Sequence, residues 1–385
     1  MIKRPALIPV LSAFMLSGCV LAISDGDYDS NKRRYQNADE YKGESYRNNH
    51  DGGLSKTDEG WATGKPLADF LDMTLIETGR WSIDDKPDSP RIVNLDDMVN
   101  TLADYDVIFV GENHGHAANH ALQMKIFSGL YAKNTNLTLS MEQFERDVQG
   151  VVDQYLAGEI GESVLKKDGR AWPHYAQSYR PLVEFAKSNK LSVIAAEAPT
   201  SIVRCVGLEG PAFLDRLKGE PRTWAARELN MFDGAYKDKF MSFLSGSSHG
   251  APPKSKEASA KAETKNMRSF AGQVIRDDTM AESIADHIKA NPRTQVMHID
   301  GHFHSAGYLG TVERLKLRMP ELKIAVVQPI TVEDTKNPSF TKADLNEGAY
   351  LALIHPTPKM FVKRENMMAF MRETGKKMTN RKCEY

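Results

Sequence analysis

The sequence predicts an α/β fold: a mostly parallel central sheet flanked by helices, with a helical insertion. Three observations carry this expectation. Short, mostly apolar runs recur at Val107–Val110, Leu137–Met141, Ser192–Ala196, Gln295–Ile299 and Lys323–Val327, as strands covered on both faces require. Segments with helical periodicity separate the runs. Three of the runs end on groups suited to chemistry: Glu112, Glu142, and the stretch Asp300-Gly301-His302-Phe303-His304. Open α/β sheets bind ligands at that edge.

Taken in order, Met1–Arg4 is positively charged, Ala6–Met15 is mostly apolar, and Leu16-Ser17-Gly18-Cys19 follows. This reads as a signal peptide over 1–18, because its apolar stretch falls short of the about 20 residues a spanning helix needs. The Leu-Ser-Gly-Cys ending resembles a bacterial lipobox, so Cys19 is expected to be lipidated and to hold the protein to a membrane. Val20 stands where Asp would signal inner-membrane retention, which favours an outer-membrane lipoprotein. Several acyl chains hold far better than one, at roughly 0.8 kcal/mol per buried methylene.

Residues 19–65, rich in Asp, Asn, Tyr, Gly and Lys, read as a flexible lipid-anchored tether, and the folded domain is expected over 66–356. Within it, Pro87-Asp88-Ser89-Pro90 makes a turn and Leu95–Leu102 a short helix. The segment His116–Tyr131 carries Leu122, Ile126, Phe127 and Leu130 at helical spacing. Further helices are expected over 148–156, 178–189 and 208–244. Residues 245–266 shift to Ser, Gly and Pro and then a Lys/Glu/Ala mixture, and read as a mobile surface insertion. A helix resumes from Asn266 to Ala290, Leu351–Ile354 is a last strand, and 357–385 is a polar, basic tail.

Fifty Lys and Arg against 51 Asp and Glu give a formal net charge of −1, which offers no electrostatic case for nucleic acid. Of three cysteines, Cys205 lies in the mostly apolar Ser201–Val206 and reads as a small buried hydrophobe. Cys383 lies in the polar tail, and a bridge between the two in an oxidising compartment is the lesser alternative.

Glu112 and His114 are two apart, so both point the same way if the chain is still extended. His302 and His304 share that spacing after Gly301, which permits close approach of the backbone. Together with Glu142 these residues form a mixed nitrogen and oxygen set suited to a divalent transition metal ion such as zinc, iron or manganese. Glu142, at a strand end, is also the candidate general base. His116 and His120 are four apart, but the glutamate of a His-Glu-x-x-His zinc helix is absent, and His120 reads as solvent-facing. His298, inside its strand, reads as a core group. Arg276 is placed to meet an anion or Glu142.

The segment Trp172-Pro173-His174-Tyr175 with Tyr179 offers a flat apolar wall of the kind haem needs, with Lys166, Lys167, Arg170 and Arg180 nearby for its propionates. An amphipathic core segment explains the same residues equally well. No Cys-x-x-Cys-His motif occurs, so haem would be held noncovalently; a Walker A loop, a dinucleotide glycine fingerprint and a Gly-x-Ser-x-Gly elbow are also absent.

Taken together, these segments resemble the ChaN-like family of haem-binding, iron-regulated lipoproteins, related to the Tiki and TraB group. The pieces that carry the resemblance are Val110-Gly111-Glu112-Asn113-His114, Met141–Asp147, Tyr155–Gly158, Tyr179–Leu182, Ala198-Pro199, Ile202–Arg204, Arg276–Ala281 and Gly301–His304 with Gly310 and Arg314-Leu315. They cover roughly residues 105–330 in consistent order. The resemblance implies a parallel-sheet α/β fold, a homodimer that in some members encloses stacked haems, and a part in haem or iron acquisition in the cell envelope. It also implies, from Tiki-type relatives, a metal-dependent hydrolase as the alternative. In that case Glu112, His114 and His304 would hold an ion and Glu142 would activate water. His304 fits the family histidine because it stands six residues before Gly310.

Overall fold

A computed structural model describes residues 53–87, 89–247, 255–379 and 383. The expected signal peptide, the lipidation site Cys19 and most of the tether lie outside the described residues. Among those described are strands β1 (Ser55–Lys56), β2 (Gly60–Ala62), β3 (Met73–Glu77), β4 (Arg91–Val93), β5 (Val107–Glu112), β6 (Leu137–Glu145), β7 (Val193–Glu197), β8 (Gln295–Gly301), β9 (Ile324–Thr331), β10 (Ser339–Thr341) and β11 (Tyr350–Ile354). The central sheet has eight strands in the order β4-β3-β11-β9-β5-β8-β6-β7. From β11 to β7 every neighbouring pair is parallel; β3 and β4 add an antiparallel edge. The expected α/β class is the observed one.

The helices fall into two layers. Against one face lie α1 (Leu95–Leu102), α2 (Ala117–Lys133), α3 (Gln149–Leu156), α4 (Glu162–Asp168), α5 (Tyr175–Ser178) and α6 (Arg180–Ser188). Met98, Leu102, Leu122, Ile126, Phe127, Leu182 and Val183 pack there on Ile108, Val110, Leu139, Met141 and Ile299. The α1 helix starts where the Asn94 side chain accepts the Asp97 N–H, a standard amino-terminal cap. On the other side are α7 (Thr200–Glu209), α8 (Glu220–Thr223), α9 (Ala235–Ser247), α10 (Lys256–Ala290) and α11 (Thr311–Arg318). Val107, Phe109, Val296, Ile324 and Val326 meet Ala281, Ile284, Val312 and Leu315 on that side. Adjacent strand residues therefore feed opposite cores, which is why the runs read as continuously apolar.

Several boundaries differ from expectation. Residues 55–62, assigned to the tether, form β1 and β2 and pair with β10 in a separate three-stranded sheet. Trp61 stacks on Phe340 at 5.5 Å, a contact no local periodicity announces. The part of the expected insertion from Lys256 onward is already helix α10, whose Ala, Lys and Glu residues are strong helix formers; residues 248–254 lie outside the described residues. The segment 208–244 is not one helix, because Pro211, Gly219 and Pro221 restart the backbone and leave short turns. The tail contains α12 (Arg364–Thr379) and returns to the body, since Cys383 is disulfide-bonded to Cys205. The Cα atoms are 5.6 Å apart, within bridging range, so Cys205 is a buried half-cystine rather than a free thiol. Among the described residues no helix is long and apolar enough to cross a membrane.

Candidate functional site

The carboxyl ends of β5, β8, β6 and β7 lie side by side and bring four acidic groups to one edge: Glu112, Asp300, Glu142 and Glu197. The odd-even alternation of the strands divides them between the two faces of the sheet.

On the α2 side, Glu112 is fully buried. Its Oε1 accepts from Tyr179 Oη at 2.6 Å and Gln143 Nε2 at 3.4 Å and pairs with His114 Nδ1 at 2.8 Å. Its Oε2 accepts from Gln123 Nε2 at 2.7 Å and lies 3.5 Å from His120 Nδ1. Positions 120 and 123 are one helical turn apart, so α2 lays both on the same carboxylate. Burial alone would raise this carboxyl; His120, then His114 and Tyr179, overcome it and hold the group down at about 2. His120, expected in solvent, is buried there and bonds Gln123 at 3.0 Å. Its helix turns inward because Glu112 needs donors.

On the α10 side, β6 shifts register between Met141 and Glu145, and Glu142 stands in that irregularity. Glu142 Oε2 accepts the Gly301 N–H at 2.6 Å, and Oε1 is 3.6 Å from His304 Nε2. His304 Nδ1 bonds Asp277 Oδ1 at 2.7 Å, and Asp277 also accepts from Thr311. Burial would lower the His304 imidazole, but Asp277 and Glu142 more than offset it and push it up to about 10. It is therefore an imidazolium at neutral pH. Arg276, expected at an anion or at Glu142, is buried in an ion pair with Glu197 at 2.6 Å. His298, expected in the core, is there: it bonds Ser140 at 2.8 Å, and burial holds it neutral at about 3.

Gly301 joins the two halves. A Cβ at that position would lie 2.8 Å from His114 Nε2 and 3.5 Å from Glu142 Oε2, so only glycine lets them approach. Glu112, His114, Glu142 and His304 thus form one chain of neighbours across the sheet edge. His302 sits beside them but is turned to the Glu112 backbone carbonyl, and burial, Lys239 and His114 lower it to about 4.

Both Glu112 oxygens face donors, and His302 turns one ring nitrogen to backbone while its Nδ1 has no hydrogen-bond partner among the described residues. Among the described residues, no group of three or more His, Cys, Asp or Glu is arranged to hold a metal ion. The expected set of Glu112, His114, His302 and His304 is not among such groups.

The haem-wall residues divide. Tyr175 and Tyr179 are buried, with Tyr179 committed to Glu112, and Trp172 stands edge-on to His114 at 4.8 Å. Trp172 and Tyr179 pack inward around Glu112 and His114, and Tyr175 packs on Phe144, so none of the three lines an open wall. His174 is different. It is half-buried at the rim, 3.9 Å from where a Cβ on Gly115 would stand. Burial, then His120 and His114, lowers its pKa below the ordinary histidine value, so it is a neutral imidazole at physiological pH. Among the described residues no hydrogen bond to its ring is formed. Next in the chain to Gly115, His116 stacks on Phe70 at 4.7 Å, and Phe70 and Leu71 are 39% and 57% exposed. A neutral, accessible imidazole suits a haem iron; buried Arg276 does not suit a propionate.

Sequence reasoning left Asp277, Gln123 and Glu197 out of the site and read His120 as solvent-facing. Glu197 carried a usable signal, a carboxylate ending an apolar run; the others depend on which way a helix face turns.

Comparison with known proteins sets this geometry in a family. The family model described as haem-binding uptake, Tiki superfamily, ChaN, matches residues 98–315, more than half of the chain. A solved structure titled for cofacial haem binding to ChaN of Campylobacter jejuni aligns with a TM-score of 0.51 at 16% identity, covering 76% of this chain and all of that one. An erythromycin esterase aligns at a TM-score of 0.37 and 11% identity, over 64% of this chain and 78% of its own. Over 75 residues the chain is 33% identical to Protein RETICULATA-RELATED 5, chloroplastic, of Arabidopsis thaliana, 19% of this chain and 10% of that relative's length. The chain belongs to the haem-binding uptake family of the Tiki superfamily, ChaN.

Proposed function

We propose that the protein binds haem at the carboxyl edge of its sheet, with His174 as the iron ligand, and serves haem or iron acquisition in the cell envelope. Family membership supports the haem reading, and the observation that carries it to a residue is the neutral, half-exposed His174 imidazole at the rim. Haem supplies the iron centre. The protein supplies the ligand nitrogen, apolar contact from Phe70 and Leu71, and a rim fixed by the buried network around Glu112. A lipid anchor at Cys19 in the outer membrane, and a homodimer closing over this rim, belong to the same reading.

Hemin titration tests it. The wild type is expected to give a shifted Soret band saturating near one haem per chain, and His174→Ala is expected to bind about tenfold or more weakly. An unshifted spectrum in the wild type, or an identical titration in the variant, would overturn the assignment. Cys19→Ser is expected to move the protein from the membrane to the soluble fraction.

A further inference from the structure

At the opposite end of the sheet, a second site has no part in the haem reading. A cavity of about 760 Å³ opens where Tyr105 precedes β5 and Lys323 precedes β9. Its inner wall is aromatic: Trp81 stacks on Tyr105 at 5.7 Å with an interplanar angle of 22°, and Tyr308 stands beside them. The Tyr308 hydroxyl is turned away, donating to the Arg80 carbonyl at 2.8 Å, and the Arg80 guanidinium lies 5.7 Å from one face of its ring, which leaves Trp81 and Tyr105 as the principal aromatic wall. At the mouth, Ile83 and Leu317 are 46% and 60% exposed.

The charge around this wall is unbalanced. Asp84, Asp104, Glu313 and Glu321 line it, against Lys316 and Lys323. Glu313 is paired with Arg314, and the Lys316 ammonium is tethered to the Pro320 and Leu322 carbonyls at 2.6 and 2.9 Å but keeps its charge, so three carboxylates stand against the two ammoniums of Lys316 and Lys323. Asp84, Asp104 and Glu321 remain exposed at the rim. Independently, the Tyr105 phenol is pushed up by burial and then by Asp85, Asp104 and Glu77, so the negative field reaches the aromatic wall. Aromatic faces attract cations, and more strongly where water is excluded. The volume lies within the range of small-molecule pockets.

We propose that this cavity, walled by Trp81, Tyr105 and Tyr308 and rimmed by Asp84, Asp104 and Glu321, binds a lipophilic organic cation. The aromatic rings take the apolar body, and the carboxylates reject anions of the same shape. Haem, a dianion through its propionates, is excluded by that rim, so the two sites do not compete.

Two ions of nearly equal size and shape test this on the full chain by calorimetry and tryptophan fluorescence: tetraphenylphosphonium and tetraphenylborate. The cation is expected to bind roughly tenfold or more tightly than the anion. Asp104→Asn with Glu321→Gln is expected to narrow that ratio, and Leu317→Arg, an exposed change that sets a cation at the mouth, to abolish phosphonium binding. Hemin binding is expected to be unchanged in all three. Equal binding of the two ions, no saturable binding of the cation, or phosphonium binding indifferent to Leu317→Arg would each overturn the proposal. Failure of the hemin titration would leave it untouched.

Discussion

The two halves of the sheet edge solve the same problem, a buried carboxylate, in opposite ways. Around Glu112 the partners are a phenol, two amides and two imidazoles, and both carboxylate oxygens are fully engaged. Around Glu142 the partners are the Gly301 N–H and the charged His304, which Asp277 backs. Buried atoms without a hydrogen bond among the described residues occur in both halves: His120 Nε2 and Gln143 Oε1 beside Glu112, His304 Nε2 and Asp300 Oδ2 beside Glu142. A carboxylate engaged at both oxygens fixes a shape, whereas an ionic cluster holds protons that small changes move. The difference teaches that the Glu112 half is scaffold for the rim where His174 stands, while the Glu142 half is the titratable part of the edge.

The largest effect expected from this contrast is at Glu112. Glu112→Ala would strand Tyr179, Gln123 and His114 without an acceptor, costing about 3–5 kcal/mol in denaturant unfolding. The wild type should show the corresponding pH dependence. The folded-state carboxyl at about 2 lies below its ordinary 4.5, so its stabilisation, roughly 3 kcal/mol, is complete above pH 4.5 and disappears as pH falls toward 2. Absence of that acid sensitivity relative to Glu112→Gln would break the comparison.

Next comes Asp277→Asn, with a cost of about 3 kcal/mol near neutral pH. His304 has the opposite sign: its folded value of about 10 lies above the ordinary 6.5, so its stabilisation is complete below pH 6.5 and lost as pH rises through 10. Histidine NMR titration should show His304 protonated well above pH 8 in the wild type and neutral at pH 8 in the variant. The smallest effect is Ser140→Ala, which removes one hydrogen bond to His298 and should cost about 1 kcal/mol in the same unfolding assay.

Much of this architecture is legible in the chain. A strand covered on both faces must be apolar throughout, so β5 through β9 announce themselves, and a carboxylate that ends such a run has nowhere to sit but the sheet edge. That reasoning places Glu112, Glu142 and His304 near one another and His298 in the core. It does not say which donors satisfy them. His120 looks like a surface residue beside Asn119, yet it and Gln123, three residues on, both meet Glu112. Arg276 looks available until Glu197, 79 residues earlier, is found against it. Trp61 and Phe340 meet across most of the chain, and Cys205 and Cys383 across 178 residues, and their local sequences carry no trace of it.

The most direct measurement is resonance Raman spectroscopy of the ferrous hemin complex of the wild type and of His174→Ala. An iron–histidine stretching band in the wild type that is missing from the variant, with the Glu112 network intact by thermal unfolding, is the predicted result. A band retained in His174→Ala, or none in the wild type, would contradict an imidazole at position 174 as the iron ligand.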